Sequence, residues 1–171
     1  MNNYWVKYIL IFVLIVLTQG LVLNPMEIDE FINPMVYPIL ILMLPFELSG
    51  IATLIIALIV GITIDGFSNT YGLHASAAML IGYMRPTILR YIKPRDGYDS
   101  SLLPSVHDMG MLWFLGYTTL FLSLHHVWFF SFEIFRLDLI GLILAKTFFS
   151  VLVSLLLIIL LQYIFYTASK K

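Results

Sequence analysis

The chain has 171 residues, 61% of them hydrophobic and 11% charged, with a mean hydropathy of +0.98. A soluble domain carries about 25% charged residues to cover its water-facing surface, so this composition excludes one and reads as an integral membrane protein. The net charge of −1 supplies no basic face for nucleic acid, and the absence of cysteine removes disulfides, thiolate metal sites and cysteine nucleophiles together.

About 20 apolar residues cross a hydrocarbon core, and cutting the chain at that length gives one multi-pass domain over residues 1–171. The first span is 5–23. Lys7 followed by Tyr8 to Leu17 has the layout of a signal peptide, but Thr18-Gln19-Gly20 is not an Ala-x-Ala cleavage site, so the segment reads as a retained helix. Met35 to Ile64 is interrupted by Pro45-Phe46-Glu47-Leu48-Ser49-Gly50 and is either one kinked helix or two short ones. The cations decide between them. Two spans, 34–46 and 48–64, put Lys7, the cluster Arg85, Arg90, Lys93 and Arg95, and the tail Lys170-Lys171 on one side, which the positive-inside rule makes cytoplasmic.

The expectation is therefore an all-α, six-transmembrane-helix bundle with spans 5–23, 34–46, 48–64, 71–92, 109–130 and 137–166. Both termini are cytoplasmic, and Glu27, Asp29, Glu30, Asp65 and Glu133 lie outside. The two short spans need tilted neighbours or a locally thinned bilayer. Tyr4, Trp5, Tyr37, Tyr83, Tyr91, Trp113, Trp128, Tyr163 and Tyr166 fall near span ends, as an aromatic belt requires. Lys93 to Asp108 is a polar, Pro- and Gly-containing connector on the cytoplasmic side.

Ionisable groups inside spans are costly, so Glu47, Asp65, His74, Asp138 and Lys146 are the ones to explain. Lys146 lies about 13 Å into the last span at helical rise. It either pairs with a carboxylate such as Asp65 or snorkels to the interface, and both readings stand. Small residues four apart, Ala57 and Gly61, Ala78 and Gly82, Ser150 and Ser154, mark candidate helix-packing faces. The first two pairs flank the turn Asp65-Gly66-Phe67-Ser68-Asn69-Thr70-Tyr71-Gly72-Leu73-His74. That turn has two compatible readings. Asp-Gly favours a tight reversal in which Ser68, Asn69 or Thr70 caps the next helix, and Asp65 with His74 also forms a polar patch for a partner or ligand.

No catalytic set emerges. Gly66-Phe67-Ser68-Asn69-Thr70 starts like a nucleophile elbow but lacks the closing glycine and a preceding strand. His74, His107, His125 and His126 lack metal-ligand spacing and read as interfacial histidines, so neither metal nor cofactor is expected.

Gly61-Ile62-Thr63-Ile64-Asp65-Gly66-Phe67-Ser68-Asn69-Thr70-Tyr71-Gly72-Leu73-His74-Ala75 resembles the core of the bacterial rod-shape-determining MreD family. The correspondence rests on Gly61, Asp65, Phe67, Ser68, Gly72, Leu73 and Ala75, and on Gly82-Tyr83 followed by Arg85. Asn69 and Thr70-Tyr71 stand where that family commonly has Gly and Pro. The resemblance implies a non-enzymatic scaffold in the bacterial cytoplasmic membrane. It would bind an MreC-like bitopic protein, connect indirectly to MreB and peptidoglycan synthases, and sit among membrane lipids. It leaves open whether the chain forms a homo-oligomer. The family is similar in size and layout to the substrate-capture components of energy-coupling-factor transporters, which makes a vitamin-binding membrane subunit the alternative.

Overall fold

A helix of apolar residues satisfies its own backbone, and most of this chain takes that solution. The computed structural model describes residues 4–26 and 30–165, and among them there is no strand. Glu27, Asp29, Tyr166, Lys170 and Lys171, used above, lie outside the described residues, as do the side chains of Tyr4, Trp5 and Lys7. Helix α1 (Tyr4–Leu17) runs on through a π-helical turn (Thr18–Leu23). Then come α2 (Ile39–Leu42), α3 (Gly50–Ser68), α4 (Leu73–Tyr91), α5 (Val106–Met109), α6 (Met111–Ile134), a 3-10 turn (Leu137–Leu139) and α7 (Ile140–Phe165). α3 packs on α4, α4 on α6 and α6 on α7. α3 and α7 are long and apolar enough to cross a membrane.

α3 and α4 approach closely because glycine and alanine line their contact. A Cβ built on Gly82 would lie 3.1 Å from the Ala57 Cβ, and one on Gly61 would lie 2.3 Å from the Ala75 Cα. Ala57, Gly61 and Gly82 thus sit in the α3–α4 seam, and Ala78 is buried on α4. Helices that meet this closely gain dispersion contact along the whole seam.

The expected helix over 34–46 does not form, and only Ile39–Leu42 makes a helical turn. Pro34, Pro38 and Pro45 are the reason, since each lacks an N–H and biases the residue before it away from helix. The passage is nevertheless buried, with Met35, Val36, Tyr37, Ile39, Ile41 and Leu42 in the core. Buried non-helical backbone needs partners, and side chains provide them. Gln19 Nε2 donates to the Pro34 carbonyl at 3.1 Å, while its Oε1 accepts from Val36 N at 2.7 Å and Tyr37 N at 3.3 Å. Ser150 Oγ accepts from Asn33 N at 2.9 Å and donates to the Phe31 carbonyl at 3.3 Å. Ser154 Oγ accepts from Met35 N at 2.8 Å. At the far end Gln162 Nε2 meets Met43 Sδ at 3.0 Å, so the passage runs alongside α7 from Ser150 to Gln162.

Ser150 and Ser154, read from sequence as a helix-packing pair, therefore act as hydrogen-bonding posts for a non-helical neighbour. Ser154→Ala leaves Met35 N buried without its acceptor, and is expected to cost about 1–3 kcal/mol. The control is Thr63→Ala, which removes only an intrahelical bond to the Ile59 carbonyl on an exposed face. Thermal melts in detergent should show a lower Tm for the first and little change for the second.

Arg85 closes the other end. Counted in the sequence among the cations of the cytoplasmic side, it is only 2% exposed. Its Nη2 donates to the carbonyls of Leu44 and, at 3.3 Å, Pro45, and its Nε donates to Tyr117 Oη at 3.3 Å. Tyr117 in turn donates to the Leu42 carbonyl at 3.1 Å. A guanidinium suits this position because its fixed fork of donors can serve several carbonyls at once. The connector after α4 is pinned beside it. Tyr98 donates to the Leu89 carbonyl at 2.9 Å and stacks on Phe46 with ring centroids 4.2 Å apart.

Candidate functional site

The chain reverses between α3 and α4 through residues in the left-handed region, Asn69 (φ 52°), Tyr71 (φ 39°) and Gly72 (φ 100°). Asparagine and glycine adopt it readily, whereas tyrosine does so at a cost, so something must hold the turn. Asp65 is that group. Its Oδ1 accepts from His74 N at 3.0 Å and its Oδ2 from Ala75 N at 3.0 Å. These are first-turn donors of α4, which have no partner inside their own helix, and Gly72 at the N-cap has no side chain to offer. A carboxylate from the preceding helix caps α4 instead, and its charge also complements the positive end of the helix dipole. Thr70 Oγ1 donates to Asp65 Oδ1 at 2.6 Å, and His74 Nδ1 lies 3.2 Å from the same oxygen.

This changes the expected division of labour within the turn. Thr70 braces the capping carboxylate and does not itself cap α4. Ser68 donates to the Ile64 carbonyl at 3.0 Å and accepts from Asn24 Nδ2, which ties the turn to the π-helical turn after α1. Phe67 packs there against Gly20, where a Cβ would lie 2.6 Å from its ring. Gly66 has no heavy atom within 4 Å of an added Cβ. Leu73 packs against the core, while Tyr71 is 98% exposed at the tip.

His74 is 3% exposed and lies with Tyr37 and Phe129, whose ring centroids are 5.5 Å and 4.7 Å away. Tyr37 Oη donates to the His74 carbonyl at 3.3 Å and also contacts His125 Nε2. His125 and His126 are fully buried, which corrects the interfacial reading of both. Partners distant in sequence reach them, Tyr37 for His125 and Ser154 Oγ at 3.4 Å for His126, and His126 also bonds the Leu122 carbonyl of its own helix at 2.8 Å. His107 is exposed and meets only the Tyr163 ring, 5.5 Å between centroids, among the described contacts.

Lys146 does not reach Asp65. Its Nζ lies 3.4 Å from Glu133 Oε2 and 5.2 Å from the centre of the Phe130 ring. Asp65 is committed to its own turn, and Glu133 at the end of α6 is the carboxylate that α7 can face. Asp138 pairs with Arg136 at 2.6 Å on the surface, and Glu47 is exposed. No group of His, Asp and Glu suited to a metal ion occurs among the described residues.

Sequence reasoning passed over Gln19 and Asn24 and read Tyr37 as part of an aromatic belt, whereas Tyr37 is fully buried, and the three join the turn to the non-helical passage. The available signal was a polar amide inside an apolar span, Gln19 above all, since lipid disfavours it without a partner. Beside the turn lies a cleft of about 300 Å³ whose lining includes Gly20, Asn33, Phe67, His74, Phe129 and Glu133. Comparison with protein-family models, curated proteins and solved structures gives no match.

Proposed function

We propose that the chain is a non-enzymatic, multi-pass scaffold of the bacterial cell-elongation machinery, of the MreD kind. It binds an MreC-like bitopic protein in the cytoplasmic membrane and so couples to MreB and the peptidoglycan synthases. The observation that supports this reading is the Asp65 turn. Its carboxylate oxygens are engaged by backbone N–H groups, and the shape it holds displays Tyr71, 98% exposed, at the tip. Exposed aromatics on rigid supports are favoured anchors for a protein partner. The reading counts the non-helical passage alongside α7 as the crossing expected over 34–46, and on that count the crossings are even in number and both termini share one side.

The test is affinity purification of the tagged chain from native membranes in mild detergent, with mass spectrometry of what stays bound, for the parent and for Tyr71→Gly. Glycine relieves the left-handed φ of 39°, so stability should stay within about 1 kcal/mol of the parent. Recovery of an MreC-like protein should fall about tenfold or more, the size of effect expected for loss of an anchoring aromatic. Undiminished recovery would remove Tyr71 from the interface. Recovery of an ATPase pair with a large coupling subunit would instead select the substrate-binding subunit of a vitamin transporter, the reading that the cleft beside His74 favours.

A further inference from the structure

The cleft opens between the π-helical turn after α1, the Asp65 turn and the end of α6, and its volume of about 300 Å³ falls at the lower end for small-ligand pockets. Its charged lining is one-sided. His74 Nδ1 lies 2.8 Å from Thr70 Oγ1 and 3.2 Å from Asp65 Oδ1. A carboxylate accepts only, so Nδ1 carries a proton, and in the neutral form of the ring Nε2 offers a lone pair to which no described protein group hydrogen-bonds. Glu133 contributes a carboxylate, bonded to Lys146 through one oxygen at 3.4 Å. Asn33 spends its backbone N–H on Ser150, and its side-chain amide, with an acceptor oxygen and a donor NH2, also lines the cleft. Phe67 and Phe129 supply ring faces, and no Lys or Arg lines the cleft among the described residues.

Acceptors, a carboxylate and aromatic rings without a lining cation complement a positive group rich in N–H donors. An anion would face Glu133, with Asp65 behind His74, and a purely apolar ligand would leave the acceptors unpaired. We propose that the cleft binds a primary alkylammonium group. Its N–H donors are directed at His74 Nε2 and the Glu133 carboxylate, and its alkyl stem lies between Phe67 and Phe129. The assignment rests on the cleft alone and holds for a scaffold and a transport subunit alike. Two sources present the same chemistry, the ethanolamine headgroup of a membrane phospholipid and a free amine from water.

The full chain is tested in two arms. In nanodiscs, Tm and lipid retention by native mass spectrometry are compared for phosphatidylethanolamine and phosphatidylcholine, whose trimethylated nitrogen has no N–H. In detergent free of phosphatidylethanolamine, Tm is followed during titration with ethanolamine and, separately, choline. Stabilisation by phosphatidylethanolamine alone assigns the lipid headgroup, and stabilisation by ethanolamine assigns a free amine. In the arm that responds, Glu133→Gln should weaken binding about tenfold, the loss of one charge-assisted hydrogen bond. Asn33→Ala should weaken it severalfold, and it leaves the Glu133–Lys146 pair in place if Glu133→Gln lowers Tm without ligand. No response in either arm, an equal response to the choline compounds, or undiminished binding by both variants overturns the proposal.

Discussion

Gly61→Ala is expected to be among the most damaging single changes in the protein, although it adds one methyl group. The new Cβ would lie 2.3 Å from the Ala75 Cα, 2.8 Å from the Ala75 N and 2.9 Å from the His74 carbonyl oxygen. All three are backbone atoms, so no side chain can rotate away and α3 and α4 must separate. Overpacking in a tight core costs about 1–3 kcal/mol, and rigid neighbours put this case at or above the upper end. The separation also draws Asp65 away from His74 N and Ala75 N, so packing and capping fail together. Gly116→Ala is the internal control, because an added Cβ there has nothing within 4 Å and alanine suits a helix better by about 0.5–1 kcal/mol. The folded yield in detergent and Tm should collapse for the first variant and hold or rise for the second. Equal behaviour would show that the two helices are less tightly apposed.

Asp65→Ala is expected to come close behind. It removes the acceptor for His74 N, Ala75 N and Thr70 Oγ1 at a residue only 8% exposed. Each buried donor left without a partner costs about 1–3 kcal/mol, and relaxation of the turn makes the sum less than additive, so a loss of about 3 kcal/mol or more is expected. Asp65→Asn should recover only part of it. The amide keeps one oxygen, but its NH2 group then faces either Ala75 N or the cluster of His74 N and Thr70. Partner recovery should fall with the folded fraction for both Asp65 variants, unlike Tyr71→Gly, where it falls without unfolding. Asp99→Ala and His107→Ala, in the connector and in α5, should change neither readout appreciably at equal expression. Normal melting of Asp65→Ala would mean that the carboxylate does not hold the turn.

Apolar length made the all-helical character legible, because a run of leucine, isoleucine and phenylalanine buries its backbone most simply as helix. It failed at 34–46 because hydropathy scores side chains and is blind to the N–H groups missing at Pro34, Pro38 and Pro45. Those prolines were visible, but what makes their passage tolerable was not, since Gln19, Ser150, Ser154 and Arg85 come from distant elements. The Asp65 turn was legible as a turn, while its capping partners lie nine and ten residues away, beyond any local capping rule. Arg85 was counted for its charge and so assigned to the cytoplasmic side, yet charge counting is silent about whether the side chain is buried there. His125 and His126 sit on a helix that is apolar all round, so no face distinguished inside from outside.

Synthesis order gives the passage from Asn33 to Met43 a further consequence. Ser150, Ser154 and Gln162, which receive it on α7, lie 117 to 119 residues later in the chain than the groups they meet. At about 5–20 residues per second, the ribosome delivers them roughly 6–24 s after the passage itself. During that interval Gln19 alone, of the side chains that bond Pro34 to Tyr37, has already been made. The bundle therefore cannot mature helix by helix in the order of translation, and its final helix completes a segment that emerged near the start.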